Sequence, residues 1–141
     1  MKIIVNNIIP FKGFACIMLF GFLFSRKSDL SVFVINHERI HFQQFKECSF
    51  ASFFIIGLLL LFGLSPWFIL LVPFTYYIWY VAEWFIRLLF ALITIYKVRD
   101  GGWKNHFNKP YRNLLMEREA YSYECKLDYL NKRKFFAWLR V

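Results

Sequence analysis

No Asp, Glu, Lys or Arg occurs from Cys48 to Ala82, a run of thirty-five positions. Charge is thin elsewhere too: 19% of the 141 residues, against ~25% in a soluble domain. Acidic residues are scarcest, nine against eighteen basic ones, for a net charge of +9. Cysteine is limited to Cys16, Cys48 and Cys125, an odd number without paired spacing. That excludes a disulfide framework and leaves small buried hydrophobes or inert thiols. A cleavable signal is not read at the N-terminus, where Lys12 comes late and no small-x-small site follows Phe24. Aromatics, by contrast, are abundant, with 19 Phe, 8 Tyr and 5 Trp, which excludes disorder. The length is that of one domain, residues 1–141. With 59% hydrophobic residues, a soluble core this small cannot hide the apolar surface. An integral membrane protein is expected.

A spanning helix needs ~20 apolar residues. The uncharged run is longer, and Gly63-Leu64-Ser65-Pro66 interrupts it with turn residues. It divides into two helices, about 47–63 and 66–96, forming a transmembrane hairpin with Pro73 as a kink in the second. The first is short unless it continues from a helix outside the membrane, so residues 31–63 read as one unit. The second ends at the charge-plus-glycine stop Tyr96 to Gly102. Residues 1–47 hold six Lys/Arg and three Asp/Glu, residues 97–141 eleven and five, and the turn none. The positive-inside bias then places both flanks and both termini on the cytoplasmic side. Residues 13–25 are too short for a span, since thirteen helical residues cover only ~20 Å. Runs rich in Phe, Ile and Val, broken by Pro10, Gly13 and Gly21, suit strands at the membrane surface within residues 1–30. A re-entrant or third transmembrane helix is the alternative there.

Chemistry concentrates at His37-Glu38-Arg39-Ile40-His41, an HExxH pattern. On a helix, residues four apart share a face, so both imidazoles reach one metal. Neutral imidazole suits Zn²⁺, and Glu38 is placed to serve a bound water as general base. By chance the pattern occurs in about one chain in a few hundred of this length, so its neighbours decide its weight. A catalytic zinc needs a third protein ligand. Downstream, a helix capped by Asn113 and running to about Leu130 carries Glu117, Glu119 and Glu124. Glu117 and Glu124 share a face, while Glu119 points ~200° away from Glu117. Ala120 allows close approach to the His helix. The spacing leaves Glu117 and Glu119 open as third ligand. His106, a lone His, reads as solvated. Two spans return the chain to the side it left, so His37, His41 and Glu117 can meet at one membrane face.

HExxH followed by a distant Glu-x-x-Ala resembles the gluzincin zinc metallopeptidases. The resemblance implies Glu117 as the third ligand, three residues before Ala120. Tyr121 stands where those enzymes often carry an Asp, a role Glu124 or Glu119 could take. It also implies an edge strand, here within residues 14–25, that pairs with an extended substrate. The chain is similar as well to a family of small bacterial membrane proteins. The shared residues are Pro10 to Phe14, Asn36 to Gln44, Tyr111 to Asn113 and Glu117 to Tyr121.

Glu83 and Arg87, four apart within the second span, read first as a structural ion pair. The sharper reading makes them supports of the metal or of an oxyanion. The basic run Asn131 to Lys134 suits anionic lipid headgroups, and no nucleic-acid recognition motif appears.

The expected protein is therefore mainly α. It has a transmembrane hairpin, an HExxH helix at the cytoplasmic face, a C-terminal helix within residues 97–141 and a short N-terminal β-segment or hairpin. The expected function is zinc-dependent hydrolysis of a membrane-proximal peptide or membrane protein in the bacterial inner membrane. The alternative is a membrane scaffold whose zinc site is structural or vestigial. Such a site would use a fourth ligand, for example Glu124 or His106.

Overall fold

The computed structural model describes residues 2–6, 8–10, 15–95 and 110–141. His106, the stop at 96–102 and part of the shared segment at Pro10 to Phe14 therefore lie outside the described residues. The architecture is mostly helical with one small sheet.

Strands β1 (Lys2–Val5), β2 (Cys16–Leu19) and β3 (Phe22–Ser25) form that sheet in the order β1-β3-β2. Strands β2 and β3 make an antiparallel hairpin, and β1 pairs parallel to β3. Two residues turn the hairpin, Phe20 and Gly21, with φ of 49° and 86°. Positive φ at both positions matches the twist of the flanking strands. Gly21 is required for a second reason: a Cβ there would lie 2.9 Å from the Phe42 ring. Phe20 tolerates its φ because its N–H donates to Tyr77 Oη at 2.6 Å and its ring packs on Phe45, Phe74 and Tyr77. The hairpin tip is thus pinned onto the helices that follow.

Helix α1 (Val32–Leu61) carries HExxH near its start and runs on without a break into apolar sequence. Its thirty residues measure ~45 Å. Ser31 caps it, accepting from the Val34 N–H at 3.3 Å. It stops at Gly63, whose φ of +92° lets Gly63 N bond Leu60 O and Leu64 N bond Leu59 O, both at 3.1 Å.

The return leg differs from the continuous helix expected over 66–96. Its first nine residues, Pro66–Phe74, are a 3-10 helix, and α-helix begins only with α2 (Thr75–Ile95). Pro73 has no N–H to donate and its ring crowds the preceding turn, so regular α-helix starts after it. Both legs, Val32–Leu61 and Pro66–Ile93, are long and apolar enough to cross a membrane.

Residues 110–112 form a helical turn, followed by α3 (Leu115–Tyr123), the short α4 (Tyr129–Lys132) and a closing 3-10 turn, Ala137–Arg140. The single helix expected from Asn113 to Leu130 is thus divided. Its start is not capped by Asn113: Leu114 holds that position, and the Glu83 carboxylate of α2 accepts the Leu115 N–H at 3.0 Å. Its end comes at Tyr123 because Asn36 Nδ2 donates to the carbonyls of Tyr123, Glu124 and Lys126, at 3.3, 2.8 and 3.3 Å. Those carbonyls no longer need a continuing helix. Met18, Tyr76, Met116 and Trp138 form the core where sheet, α2, α3 and the tail meet.

Candidate metal centre

His37 and His41 lie on one face of α1, with ring centroids 4.7 Å apart. Helix α3 lies across that face, and fully buried Ala120 permits the approach. Glu117 lies one turn before Ala120 and points between the imidazoles.

The metal-facing atoms are His37 Nε2, His41 Nε2 and the Glu117 carboxylate. The two Nε2 atoms are 3.0 Å apart. Glu117 Oε1 is 3.3 Å from His41 Nε2, and Oε2 is 3.5 Å from His37 Nε2. Ligand bonds of ~2.0–2.1 Å in a tetrahedron put neighbouring ligand atoms ~3.3 Å apart. The three side chains therefore stand near the spacing of ligands around a tetrahedral metal ion. Glu117 Oε2 is buried without a hydrogen bond, an orphan that a cation would satisfy. These three residues can hold a metal ion. Burial pushes the Glu117 carboxyl pKa up, but the adjoining His37 and His41 imidazoles and the Tyr80 hydroxyl outweigh it and hold it well below the usual range. The carboxylate is thus ionised, as a ligand must be.

Each imidazole is held at its other nitrogen. Glu124 Oε2 lies 2.9 Å from His37 Nδ1, and Tyr121 packs edge-on against the same ring at 4.8 Å. Arg112 covers the outer face of Tyr121 at 4.6 Å. Glu124 thus lies behind His37 and holds its Nδ1 side. His41 Nδ1 is 2.8 Å from Gln44 Oε1 and 3.3 Å from the Tyr76 hydroxyl. Such partners fix ring orientation and raise ligand basicity.

Glu119 faces away from the triad. It accepts from Gln44, Tyr129 and Arg133, and Arg133 also pairs with Glu47 of α1. Burial works against the Arg133 charge, and the hydrogen bonds it donates to Glu47 and Glu119 outweigh it, so its pKa is raised. Glu83 and Arg87 pair at 2.7 Å. Glu83 bonds the N–H at the start of α3, two residues before Glu117, so it acts on the site by placing that helix.

Glu38 borders a cavity of about 270 Å³ that also opens onto His41 and Glu117. The whole of β2 lines one wall, and Tyr76, Tyr77, Tyr80 and Tyr111 line another. Tyr80 donates its hydroxyl to Glu117 Oε1. The Cys16 thiol donates to Glu38 Oε1 at 3.4 Å. Burial, and then the Glu38 charge, push that thiol up to about 12, so it stays protonated and inert. A side chain entering the cavity would meet Glu38 beside the open side of the triad.

Gln44, Asn36, Glu47, Tyr76 and Tyr80 carry much of this arrangement and were given no role from the sequence, while Arg133, expected within a lipid-facing basic run, is instead buried against Glu47 and Glu119. A signal existed for two of them, Gln44 and Glu47. His37, His41, Gln44 and Glu47 recur at helical spacing just before an uncharged run, where polar groups must find partners. Nothing local marked Arg133. No family model, no curated protein and no solved structure matches the chain.

Proposed function

We propose that this chain is a membrane-bound zinc hydrolase with the gluzincin arrangement, acting on membrane-proximal peptide at the cytoplasmic face of a bacterial inner membrane. The observation that carries this reading is the triad itself: two imidazole nitrogens and one carboxylate at tetrahedral spacing, open to a cavity with Glu38 on its rim. A structural zinc site closes all four positions with protein. Among the described residues the metal-facing set numbers three.

Zinc, when bound, would supply a Lewis acid and a water acidified toward a pKa of ~7. His37, His41 and Glu117 would hold it, with Glu124 and Gln44 steadying the imidazoles. Glu38 would accept a proton at its carboxylate and return it to the leaving amine. Strand β2 is an edge strand with β3 on one side only, and an extended peptide can pair with the other. The Tyr-rich wall would take an apolar side chain and exclude water.

The test is elemental analysis of detergent-purified protein, wild type beside Glu38→Gln, followed by peptide-library hydrolysis in proteoliposomes. About one zinc per chain in both, with cleavage only in the wild type, is the expected result. Absence of zinc in the wild type after reconstitution would sink the hydrolase reading. Equal cleavage by both proteins would remove Glu38 as the base.

A further inference from the structure

Behind the metal-facing atoms, His41 Nδ1 lies 2.8 Å from the Gln44 side chain. A primary amide can present either oxygen or NH₂ to an imidazole, and its other contacts decide which. On its far side Gln44 meets the Met116 carbonyl at 3.0 Å and Glu119 Oε2 at 2.9 Å. Both are acceptors with nothing to donate, so the NH₂ turns to them and the oxygen turns to His41. Only a protonated Nδ1 satisfies that oxygen. The proton is thereby held on Nδ1, and the Nε2 lone pair is left facing Glu117. Gln44 and Glu119 are fully buried, so water does not substitute for either.

Glu119 is itself held from the tail. Arg133 donates to both its oxygens and Tyr129 donates to Oε1, while Arg133 also clamps Glu47, eighty-six residues earlier on α1. We propose that Gln44, Glu119 and Arg133 are positioning residues that set the His41 tautomer, so that docking of the C-terminal tail controls how tightly the triad holds metal. The tautomer half of this stands on the geometry alone; the affinity half rests on the metal reading above.

Two isosteric changes at the same arginine separate this role from general support of the fold. In Glu119→Gln one acceptor oxygen becomes NH₂. Arg133 and Tyr129 claim the remaining oxygen, so NH₂ faces Gln44. Gln44 is then held by the Met116 carbonyl alone, both amide orientations become accessible, and the proton is no longer fixed on His41 Nδ1. In Glu47→Gln, Arg133 loses one charge partner while the surroundings of Gln44 stay as they are.

The experiment uses the full chain in detergent. It reads the His41 Nδ1–H resonance in metal-free protein and the zinc affinity by competition with a chromophoric chelator. Glu119→Gln is expected to lose the Nδ1–H signal and to bind zinc about 10–100-fold more weakly. Glu47→Gln is expected to keep both. Should Glu119→Gln fail to fold, Gln44→Met removes the oxygen without touching the Glu119–Arg133 pair and is expected to show the same zinc loss. A retained Nδ1–H signal in Glu119→Gln, or equal zinc losses in the two Glu variants, would overturn the proposal. A wild type that binds no zinc would overturn the affinity half together with the metal reading. Loss of the signal in Glu119→Gln would still support control of the tautomer.

Discussion

Between Asn36 and Glu47, helix α1 buries Asn36, Glu38, Ile40, His41, Gln44 and Glu47. From Phe50 to Leu61 the same helix leaves Phe50, Phe53, Phe54, Ile55, Leu58, Leu59 and Leu61 exposed, Leu61 at 83%. The first half is polar inside, and the second is apolar outside. One helix can serve both because its backbone hydrogen bonds close within itself, whatever surrounds it. The side chains differ in what they need. A buried polar group must have a partner, and sheet, α3 and tail supply partners only to the first half. Exposed Phe and Leu at this density are stable against lipid and costly against water. The boundary between the halves falls between Glu47 and Phe50, and His37, His41 and Glu117 lie on its polar side.

The comparison breaks most completely in the first half. His41→Ala and Glu117→Ala are each expected to take zinc from about one per chain to none, read by elemental analysis. Glu38→Gln is expected to keep the zinc and lower hydrolysis ~10²–10⁴-fold. Arg133→Met comes next. It strands Glu47 and Glu119 as buried carboxylates without their cation, and a loss of ~3–5 kcal/mol is expected from denaturant unfolding in detergent.

Acid should act on the same half. Protons compete with metal for the imidazole nitrogens, so zinc retention is expected to fall as pH is lowered, measured by dialysis followed by metal analysis. Retention independent of pH down to acid denaturation would argue against His ligation. Glu83→Ala removes the cap of α3 together with the partner of Arg87, with an expected cost of ~1 kcal/mol and faster zinc release into a chelator. The smallest effect belongs to the second half. Phe54→Ala, on the apolar outer surface, is expected to change stability in detergent by less than ~0.5 kcal/mol. A cost of several kcal/mol there would mean that protein rather than lipid covers that face.

Several elements were legible because their signals are local. The apolar run and the Gly63 stop mark two legs, and the HExxH spacing places both imidazoles on one helical face. The seven-residue interval between Glu117 and Glu124 puts both carboxylates toward His37. Even Phe20-Gly21 follows from a glycine between two β-rich runs. Other features depended on distant residues. Helix α3 ends at Tyr123 because Asn36 takes its carbonyls, and it begins under Glu83 rather than Asn113. Strand β1 pairs with β3 rather than with β2.

The amino-acid sequence by itself determined where the chain turns apolar and which helix faces carry nitrogen and carboxylate ligands, since both follow from composition and from periods of a few residues. Only the tertiary structure decided that Glu117 rather than Glu119 faces the imidazoles. It alone decided that Glu124 stands behind His37 and that Arg133 reaches Glu119 and Glu47. A carboxylate's role depends on what the fold brings within 3–4 Å of it, and these partners come from elements far apart in the chain.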